Sequence, residues 1–312
     1  MVNFKYFAQE IPLEDFHLEG SAIVSGMNKK EAIEFSHKVI GGLEKEGISS
    51  VNFYDLIKYS KNFIEDNSVR KRYIVLNQYL LSTYKRKIKK PFFIFIGGTS
   101  GAGKDTLSSD LQYYLGIDRI LLTDLLRENS RTEMIKKYGS VDKVPKKYSA
   151  LFDASYRVNE KGFDLQLEFV KKDVKKHLIE QAEREYRSWV HPFYILQGFL
   201  VVPGIDDEVK KGNKILAIVN PDKDHLFSRI QARWEREMGP MNDKNEKERT
   251  DQAKRAISIK NYIEDLGVRS DCLVINTDSR IQVLHLFGEY LINKLEKLLK
   301  KEGIKIIDHN KA

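Results

Sequence analysis

Apolar residues in the first part of the chain recur at the spacing of an α-helix, in a stripe that comprises Ala32, Phe35, Val39 and Leu43. Residues three or four positions apart share one face of a helix. Asn28 and Glu31 have the spacing of a capping box, which predicts the start of this helix, and Gly47 predicts its end. Two further helices are predicted, one beginning near Asn52 and one around residues 73–80. The sequence thus predicts a small helical domain at its N-terminal end.

From Pro91 onward, short apolar runs alternate with helical stripes. The runs predicted to be strands are residues 92–96, 119–122, 193–196, 215–219 and 272–276. Strands joined by helical crossovers form a parallel sheet, so the predicted fold class is α/β, a doubly wound parallel sheet of about five strands preceded by a small helical domain. The predicted domains are residues 1–88, helical with a basic linker, and residues 89–312, which carry the sheet.

A glycine-rich segment follows the first of these strands. Its residues, all candidates for nucleotide binding, are Gly98, Thr99, Ser100, Gly101, Ala102, Gly103, Lys104, Asp105 and Thr106. The order glycine, four residues, glycine, lysine between a strand and a helix is that of a phosphate-binding loop. In such a loop the backbone N–H groups and the helix N-terminus face a polyphosphate, and the lysine reaches its outer phosphates. The segment therefore predicts nucleotide binding.

Asp105 stands where such loops usually have Ser or Thr, whose hydroxyl binds Mg²⁺. Two interpretations are open. Asp105 holds the metal directly or through water, since hard cations prefer oxygen ligands. Alternatively, Thr106 contacts a phosphate and the metal is held elsewhere.

Two long connections between the strands are candidates for substrate binding and closure. The first, about residues 125–190, is too long for a simple crossover. It contains a predicted amphipathic helix over residues 163–189, and a small-molecule kinase would hold its acceptor there. The second, about residues 223–258, is helical and rich in arginine, is interrupted by Gly239 and Pro240, and has the composition of a mobile lid.

Residues just after the strands are candidates for chemistry, because ligands bind beyond the carboxyl ends of the strands in such a sheet. Asp124 is predicted to orient or deprotonate an attacking hydroxyl, or to bind the metal; the alternative is that it only caps the next helix. Arg127, one turn later, would hold an anionic acceptor or form a surface salt bridge. Arg229 and Arg233 share a helical face, which would close over the phosphates or carry ion pairs in solvent.

Composition narrows the function classes. The 312 residues are 41% hydrophobic and 31% charged, as in a soluble globular protein, and no apolar run approaches the length of about 20 residues that spans a membrane. We therefore expect a cytoplasmic protein without a membrane partner. The net charge of +8 is spread among acidic residues, so nucleic-acid binding is not favoured. Cys272 is the only cysteine, which excludes an intrachain disulfide and a cysteine-based zinc site.

These segments together resemble the archaeal 2-phosphoglycerate kinases, P-loop enzymes distantly similar to zeta-toxin-type kinases. The similar segments are residues 96–104, Leu122 to Asp124 with Arg127, Ser155 and Tyr156 with Gly162, Phe163 and Gln166, and Gly198 with Val202 to Gly204. By this resemblance, the acceptor site includes Arg127, Ser155, Tyr156, Gln197 and Gly198. The N-terminal helices look like the ATP-cone-type domain of some of these kinases, which implies either a regulatory nucleotide site or a structural role.

Three positions differ from the family pattern. Members usually have Glu at the position of Gln197, His at that of Leu200 and Ser at that of Asp105. An amide can orient a group but cannot accept a proton as a carboxylate does. The changes at Gln197 and Asp105 are therefore either a compensating exchange of a metal ligand or the sign of a different acceptor.

The sequence thus predicts an ATP- and Mg²⁺-dependent phosphotransferase that acts on an alcohol group of a small anionic metabolite. The first candidate is 2-phosphoglycerate, giving 2,3-bisphosphoglycerate. The predicted catalytic residues are Lys104, Asp124, Arg127, Arg229 and Arg233, and the predicted metal ligands are Asp105, Thr106 and Asp124. The alternatives are a nucleotide or other metabolite kinase on the same fold, and a regulatory protein that senses ATP without transferring phosphate. A homo-oligomer is compatible with the sequence.

Overall fold

The computed structural model of the chain describes residues 2–6, 9–153, 158–188, 191–207, 209, 213–239, 246–268, 270 and 272–308. It divides into two compact units. The first comprises Met1–Pro91, Asp110–Ile117 and Leu284–Ala312, and the second comprises Phe92–Ser109 and Asp118–Val283. The first unit thus includes two segments from beyond residue 88, and the assignment of residues 1–88 and 89–312 to separate domains stays a prediction.

The first unit contains a small sheet and several helices. Its strands are β1 Asn3–Tyr6, β2 Gln9–Pro12 and β3 Ser50–Asn52, in the order β2-β1-β3. Strand β1 pairs antiparallel with β2 and parallel with β3. Its helices include α1 Phe16–Val24, α2 Lys29–Lys45, α3 Phe53–Ser60 and α4 Asn67–Tyr84. The sequence predicted α2, α3 and α4 but neither α1 nor the sheet. Strands of three or four residues are too short to show a clear alternation.

Helix α2 begins where its sequence predicts. The Glu31 N–H donates to Asn28 Oδ1 at 3.0 Å, and the Asn28 N–H donates to Glu31 Oε2 at 2.8 Å. Both bonds of the predicted capping box are therefore present. The predicted apolar stripe from Ala32 to Leu43 is buried, so the hydrophobic effect holds this face of the helix against its neighbours.

The second unit is built on a five-stranded sheet in which every pairing is parallel. Its strands are β4 Phe92–Gly97, β5 Ile120–Leu122, β6 Phe193–Gly198, β7 Lys214–Val219 and β8 Leu273–Ile275, in the order β5-β6-β4-β7-β8. Each lies where a strand was predicted. The order reverses direction about β4, as in a doubly wound sheet. The predicted α/β fold class is confirmed.

Helices connect these strands, and one more helix follows β8. They are α5 Lys104–Leu115, α6 Thr123–Tyr138, α7 Glu160–Val174, α8 Glu180–Ser188, α9 Lys223–Met238, α10 Glu246–Val268 and α11 Arg280–Lys301. The predicted amphipathic helix over residues 163–189 is formed by α7, a π-helical turn at Lys175–Ile179, and α8. Its predicted end, Trp189, lies outside the described residues. Phe163, Val170 and Val174 lie in the hydrophobic core together with strand residues.

The predicted lid corresponds to α9 and α10. A separate small cluster of buried residues joins them, namely Leu226, Ile230, Trp234, Ala253 and Ala256. Helix α9 ends at Gly239, whose φ is 76°, as the predicted interruption requires; Pro240 lies outside the described residues. None of the helices in the described part of the chain has an apolar stretch long enough to cross a membrane.

Candidate functional site

The candidate site lies at the edge of the sheet where the strands end. Strand β4 leads into the glycine-rich loop, defined here as residues 98–103, and then into α5. Strand β5 leads directly into α6, and β6 ends at Gly198, which pairs with Gly97 of β4. Because all five strands are parallel, their carboxyl ends share this edge. The edge thus brings together the predicted loop, the Asp124 segment and Gln197.

Gly98 shows why the loop requires glycine at its first position. Its φ is 146°, a conformation that side chains rarely adopt, and a Cβ atom there would lie 2.5 Å from the carbonyl oxygen of Val219. The loop therefore passes directly against the end of β7. Only a residue without a side chain allows this approach.

Lys104 is the first residue of α5, and its side chain is mostly buried. Its Nζ donates to the Thr99 carbonyl oxygen at 3.4 Å and lies 3.8 Å from the Asp105 carboxylate. The side chain of Asp105 is itself 76% exposed. The ammonium group is thus held over the glycine-rich loop, where its charge favours an anion.

Asp105 and Gln197, two of the positions that differ from the family pattern, are in direct contact. Gln197 lies on β6 and is buried, and its Nε2 donates a hydrogen bond to the Asp105 carboxylate. The contact spans two elements far apart in sequence, so no local pattern could have predicted it. It orients the carboxylate that stands in place of the usual hydroxyl.

Asp124 and Arg127 form an ion pair at the start of α6. Arg127 Nη2 lies 3.1 Å from Asp124 Oδ1, and the Asp124 side chain is 63% exposed while that of Arg127 is 8% exposed. The N-cap of α6 is Leu122, without a side-chain cap bond, so the alternative that Asp124 only caps this helix is wrong. Arg127 thus forms a salt bridge, as the alternative for this residue predicted, but its own side chain is buried and only its partner is exposed; a role in acceptor binding stays a prediction.

Burial lowers the pKa of Arg127, and the charge of Asp124 opposes that shift. Arg127 Nη1 donates to Gln166 Oε1 at 3.2 Å, and Arg127 Nε is buried without a hydrogen-bond partner. Gln166, on α7, is fully buried, and its Nε2 donates to the carbonyl oxygens of Ala150 and Asp153 at 2.7 and 3.1 Å. The predicted acceptor insertion is therefore tied to the Asp124 segment through Arg127.

Gly198 and Thr123 fit together at the ends of β6 and β5. Gly198 has a φ of 154°, and a Cβ atom there would lie 1.8 Å from Thr123 Oγ1. Thr123 is fully buried and precedes Asp124. Glycine at this position thus allows α6 to begin directly beside the end of β6. Ser155 and Tyr156, the other predicted acceptor-binding residues, lie outside the described residues.

Two arginines of α9 reach the glycine-rich loop. Arg229 Nη1 donates to the carbonyl oxygens of Gly101 and Ala102 at 3.4 and 3.3 Å, and Arg233 Nη1 donates to Ser100 Oγ at 3.0 Å. Arg229 Nη2 also donates to the carbonyl oxygen of Asp278, after β8, at 3.1 Å. The helix therefore holds the loop by its backbone, which the sequence did not predict; a role of these arginines in catalysis stays a prediction.

His225 forms a second contact between α9 and the segment after β8. Its Nδ1 lies 2.5 Å from Asp222 Oδ2, and its Nε2 lies 2.9 Å from Asp278 Oδ2. The hydrogen bond to Asp222 and the charges of both carboxylates raise the pKa of His225. The hydrogen bonds that Asp222 accepts from the His225 backbone and side chain lower the pKa of Asp222. Sequence reasoning missed this group, because Asp278 is remote in sequence from the other two residues.

The part of the chain that the structure describes has no cluster of three or more His, Cys, Asp or Glu residues able to bind a metal ion. The oxygen atoms of Asp105, Thr106 and Asp124 are of the kind that hard cations prefer. All three residues are exposed. Their role as metal ligands stays a prediction.

Known proteins similar to this chain include archaeal kinases. No family model matches the sequence. The protein named 2-phosphoglycerate kinase from Methanothermobacter thermautotrophicus is 25% identical over 229 residues, which cover 67% of this chain and 69% of that protein. The protein of the same name from Thermococcus kodakarensis is 25% identical over 234 residues, which cover 72% of this chain and 74% of that protein. The one from Pyrococcus horikoshii is 28% identical over 169 residues, which cover 51% of this chain and 50% of that protein.

Among solved structures, an uncharacterized protein from Eubacterium ventriosum aligns with a TM-score of 0.35 and 17% identity, over 67% of this chain and 99% of that one. A likeness at this level supports no conclusion. The curated relatives are named as kinases, which confirms the predicted class of ATP-dependent phosphotransferase. Their similarity extends over half to nearly three quarters of the chain. The chain is thus distantly similar to archaeal proteins named 2-phosphoglycerate kinase, at 25–28% identity over the aligned segments.

Proposed function

We propose that this chain transfers the γ-phosphoryl group of ATP to a hydroxyl group of a small anionic metabolite. The first candidate acceptor is 2-phosphoglycerate, which would give 2,3-bisphosphoglycerate. The observation that carries the proposal is the ion pair of Asp124 with buried Arg127, at the same sheet edge as Lys104 and its loop. Phosphoryl transfer needs these two parts, a holder for the polyphosphate and a group that orients the attacking hydroxyl.

Lys104 and the backbone N–H groups of the glycine-rich loop would hold the phosphates of ATP. The ammonium is fixed near the Thr99 carbonyl oxygen, so little side-chain entropy is lost when a phosphate binds. Arg229 and Arg233 would keep the loop in shape through its carbonyl oxygens and Ser100. In this role they act on the nucleotide through the loop.

Asp124 would orient the acceptor hydroxyl and accept its proton. The hydroxyl oxygen then forms a bond to the γ-phosphorus, the bond from that phosphorus to the β,γ-bridging oxygen breaks, and ADP leaves. Arg127 would hold Asp124 in position and supply positive charge to an anionic acceptor. Gln166 fixes the arginine from the side of the insertion, so the acceptor and the base would share one support.

The family implies Mg²⁺, and we infer that Asp105, Thr106 and Asp124 hold it together with the phosphates. The Gln197 amide orients the Asp105 carboxylate, which favours Asp105 over Thr106 as the closer ligand. When bound, Mg²⁺ neutralises charge on the phosphate oxygens. Asp105→Ala should therefore weaken the gain in ATP affinity that Mg²⁺ provides, measured by calorimetry with Mg²⁺ and with EDTA. Thr106→Ala is the matched control, and an equal loss in both variants would contradict this assignment.

The activity itself is tested by ADP release from ATP and Mg²⁺ with 2-phosphoglycerate, with 3-phosphoglycerate and without an acceptor. We expect stimulation by 2-phosphoglycerate alone. Stimulation by a different phosphorylated metabolite would identify another kinase on the same fold. ATP binding without release of ADP for any acceptor would favour the alternative of a regulatory protein that senses ATP. That alternative is supported by Gln197, which is an amide where family members usually have a carboxylate.

The role of Asp124 is tested by Asp124→Asn. Loss of a general base costs about 10²- to 10⁴-fold in rate, so turnover should fall by that factor while ATP still binds. Asp118→Asn is the matched control, because Asp118 also pairs with an arginine but lies ahead of β5, away from the candidate site. Turnover that is unchanged in Asp124→Asn would remove Asp124 from the mechanism.

We also propose the domain roles that the sequence predicted. Residues 1–88 would form the ATP-cone-like domain with its linker, and residues 89–312 the kinase domain. Within the latter, about residues 125–190 would hold the acceptor and about residues 223–258 would act as a lid. The contacts of Gln166 with Arg127, and of α9 with the glycine-rich loop, support these assignments.

A further inference from the structure

A cavity of about 470 Å³ lies in the first unit. It is open to solvent on one side and is bordered by α3, the turn that follows α3, and the segment after α11. Its lining comprises Tyr54, Lys58, Lys61, Asn62 and residues 305–308. Pockets of about 300–1,000 Å³ are typical of small-molecule sites. The cavity is therefore large enough for a ligand of metabolite size.

One wall of this cavity is anchored in the core. Ile306 and Ile307 pack against a buried cluster formed by Ile57, Ile74 and Leu81. Burial of apolar side chains holds the segment after α11 in place. The segment is thus a fixed part of the cavity wall.

The lining carries an excess of positive charge. Its charged residues are three lysines, Lys58, Lys61 and Lys305, and one aspartate, Asp308. Lys61 is only 6% exposed, and its Nζ donates to the backbone carbonyl oxygen of Asp308 at 2.9 Å. The lining thus favours an anionic ligand over a neutral or cationic one.

Two of the ammonium groups are available at the rim. The Nζ of Lys58 lies 4.4 Å from the centre of the Tyr54 ring, and Lys305 is exposed. Within the described ranges, neither lysine forms an ion pair with a carboxylate. Lysine ammonium groups bind phosphates as point charges, whereas a carboxylate ligand is better matched by the planar fork of arginine.

We propose that this cavity binds a small organic phosphate, with its phosphate group against Lys58, Lys61 and Lys305. The ring of Tyr54 and the side chains of Ile306 and Ile307 would cover the apolar part of the ligand. The proposal is independent of the kinase reaction, because none of these residues belongs to the candidate site. A ligand there would hold the segment after α11 against α3.

The test is calorimetric titration of the full chain, carrying Lys104→Ala to weaken phosphate binding at the glycine-rich loop, with phenyl phosphate. We expect saturable binding that weakens about tenfold or more in Lys58→Ala/Lys305→Ala, since each lost ammonium removes a charge-assisted contact. The matched control is Lys38→Ala/Lys45→Ala, which removes two exposed lysines of α2 that do not line the cavity. This control should bind like its parent.

The proposal is overturned if the parent shows no saturable binding, if the cavity variant binds like its parent, or if both double variants weaken equally. Inorganic phosphate is the second probe. We expect inorganic phosphate to bind several-fold more weakly than phenyl phosphate, because it makes no contact with the apolar wall. Equal binding of the two probes would overturn the claim that the ligand is an organic phosphate. Acetylation rates, read peptide by peptide, should fall at Lys58 and Lys305 with phenyl phosphate and stay unchanged at Lys38 and Lys45.

Discussion

Arg127→Met separates the proposed chemistry of the site from its stability. Methionine fills similar space but removes the donor to Gln166 Oε1, which lies on a fully buried side chain. An unsatisfied buried acceptor costs about 1–3 kcal/mol. The lost pair with the exposed Asp124 adds at most about 1 kcal/mol, and relief from burying a charge offsets part of this. We therefore expect unfolding free energy to fall by about 1–3 kcal/mol.

The expected loss of activity is larger than this. Removing one preorganised donor that stabilises transition-state charge costs about 10²- to 10³-fold in rate. If Arg127 positions Asp124 and attracts the acceptor, kcat/KM for the phosphorylated acceptor should fall by that factor in the folded variant. Urea unfolding measures the stability, and acceptor-dependent ADP release measures the activity.

Arg131→Met is the matched control, one turn further along α6. Arg131 donates to the backbone carbonyl oxygens of Leu151 and Asp153 at 2.7 and 2.8 Å, so it also ties α6 to the insertion. Its loss should cost a similar free energy of unfolding. Activity should stay close to that of the unmodified chain. Equal activity losses in the two variants would show that Arg127 is only structural and refute the proposed role.

Two further predictions concern the frame of the site. Gly198→Ala should lower the free energy of unfolding by about 3 kcal/mol or more, measured by thermal unfolding, because overpacking adds to backbone strain. The control is Gly139→Ala, where φ is also positive but a Cβ atom would meet open space; the expected loss there is only about 1–2 kcal/mol. Equal losses in the two variants would contradict the contact of Gly198 with Thr123. The pKa of His225 is raised in the folded state. Protonated His225 therefore contributes its full stabilisation of the folded state below the unfolded-state pKa near 6.5, and this contribution is lost as pH rises through the folded-state pKa. Its NMR titration should therefore have a midpoint above 6.5, and Asp278→Asn should lower that midpoint; a midpoint at or below 6.5 would contradict the pairing.

Periodicity and local spacing were enough to predict most of the fold. The buried run of β4 is apolar at every position, and the Asn28 capping box depends on residues three positions apart. Both signals are local, so one sequence reveals them. The sheet of β1, β2 and β3 was not predicted, because its strands are short and because β1 and β3, which pair, are far apart in sequence.

The candidate site was predictable only in its local parts. The glycine-rich loop and Asp124 follow strands and carry their own signal. The partners that fix them are remote in sequence: Gln166 for Arg127, and Asp278 for Arg229. Such contacts depend on how helices pack, which no spacing along the chain encodes.

Gln197 and Asp105 show what contact adds to a comparison of sequences. Taken singly, each departure from the family pattern suggests a lost or gained metal ligand. In the structure the Gln197 amide donates to the Asp105 carboxylate, so the two residues form one unit. Gln197→Glu alone would put two carboxylates in contact, and Asp105→Ser alone would remove the carboxylate to which the amide donates its hydrogen bond.

The double variant Asp105→Ser/Gln197→Glu should instead restore a hydroxyl beside a carboxylate, the combination that family members usually have. The effects of the two single changes on ATP affinity with Mg²⁺ should therefore exceed that of the double variant, with a coupling free energy of about 0.5–3 kcal/mol, as for residues in contact. Additive effects would mean that the two positions changed independently. Non-additivity would mean that the two positions act as one unit, as the hydrogen bond between them predicts.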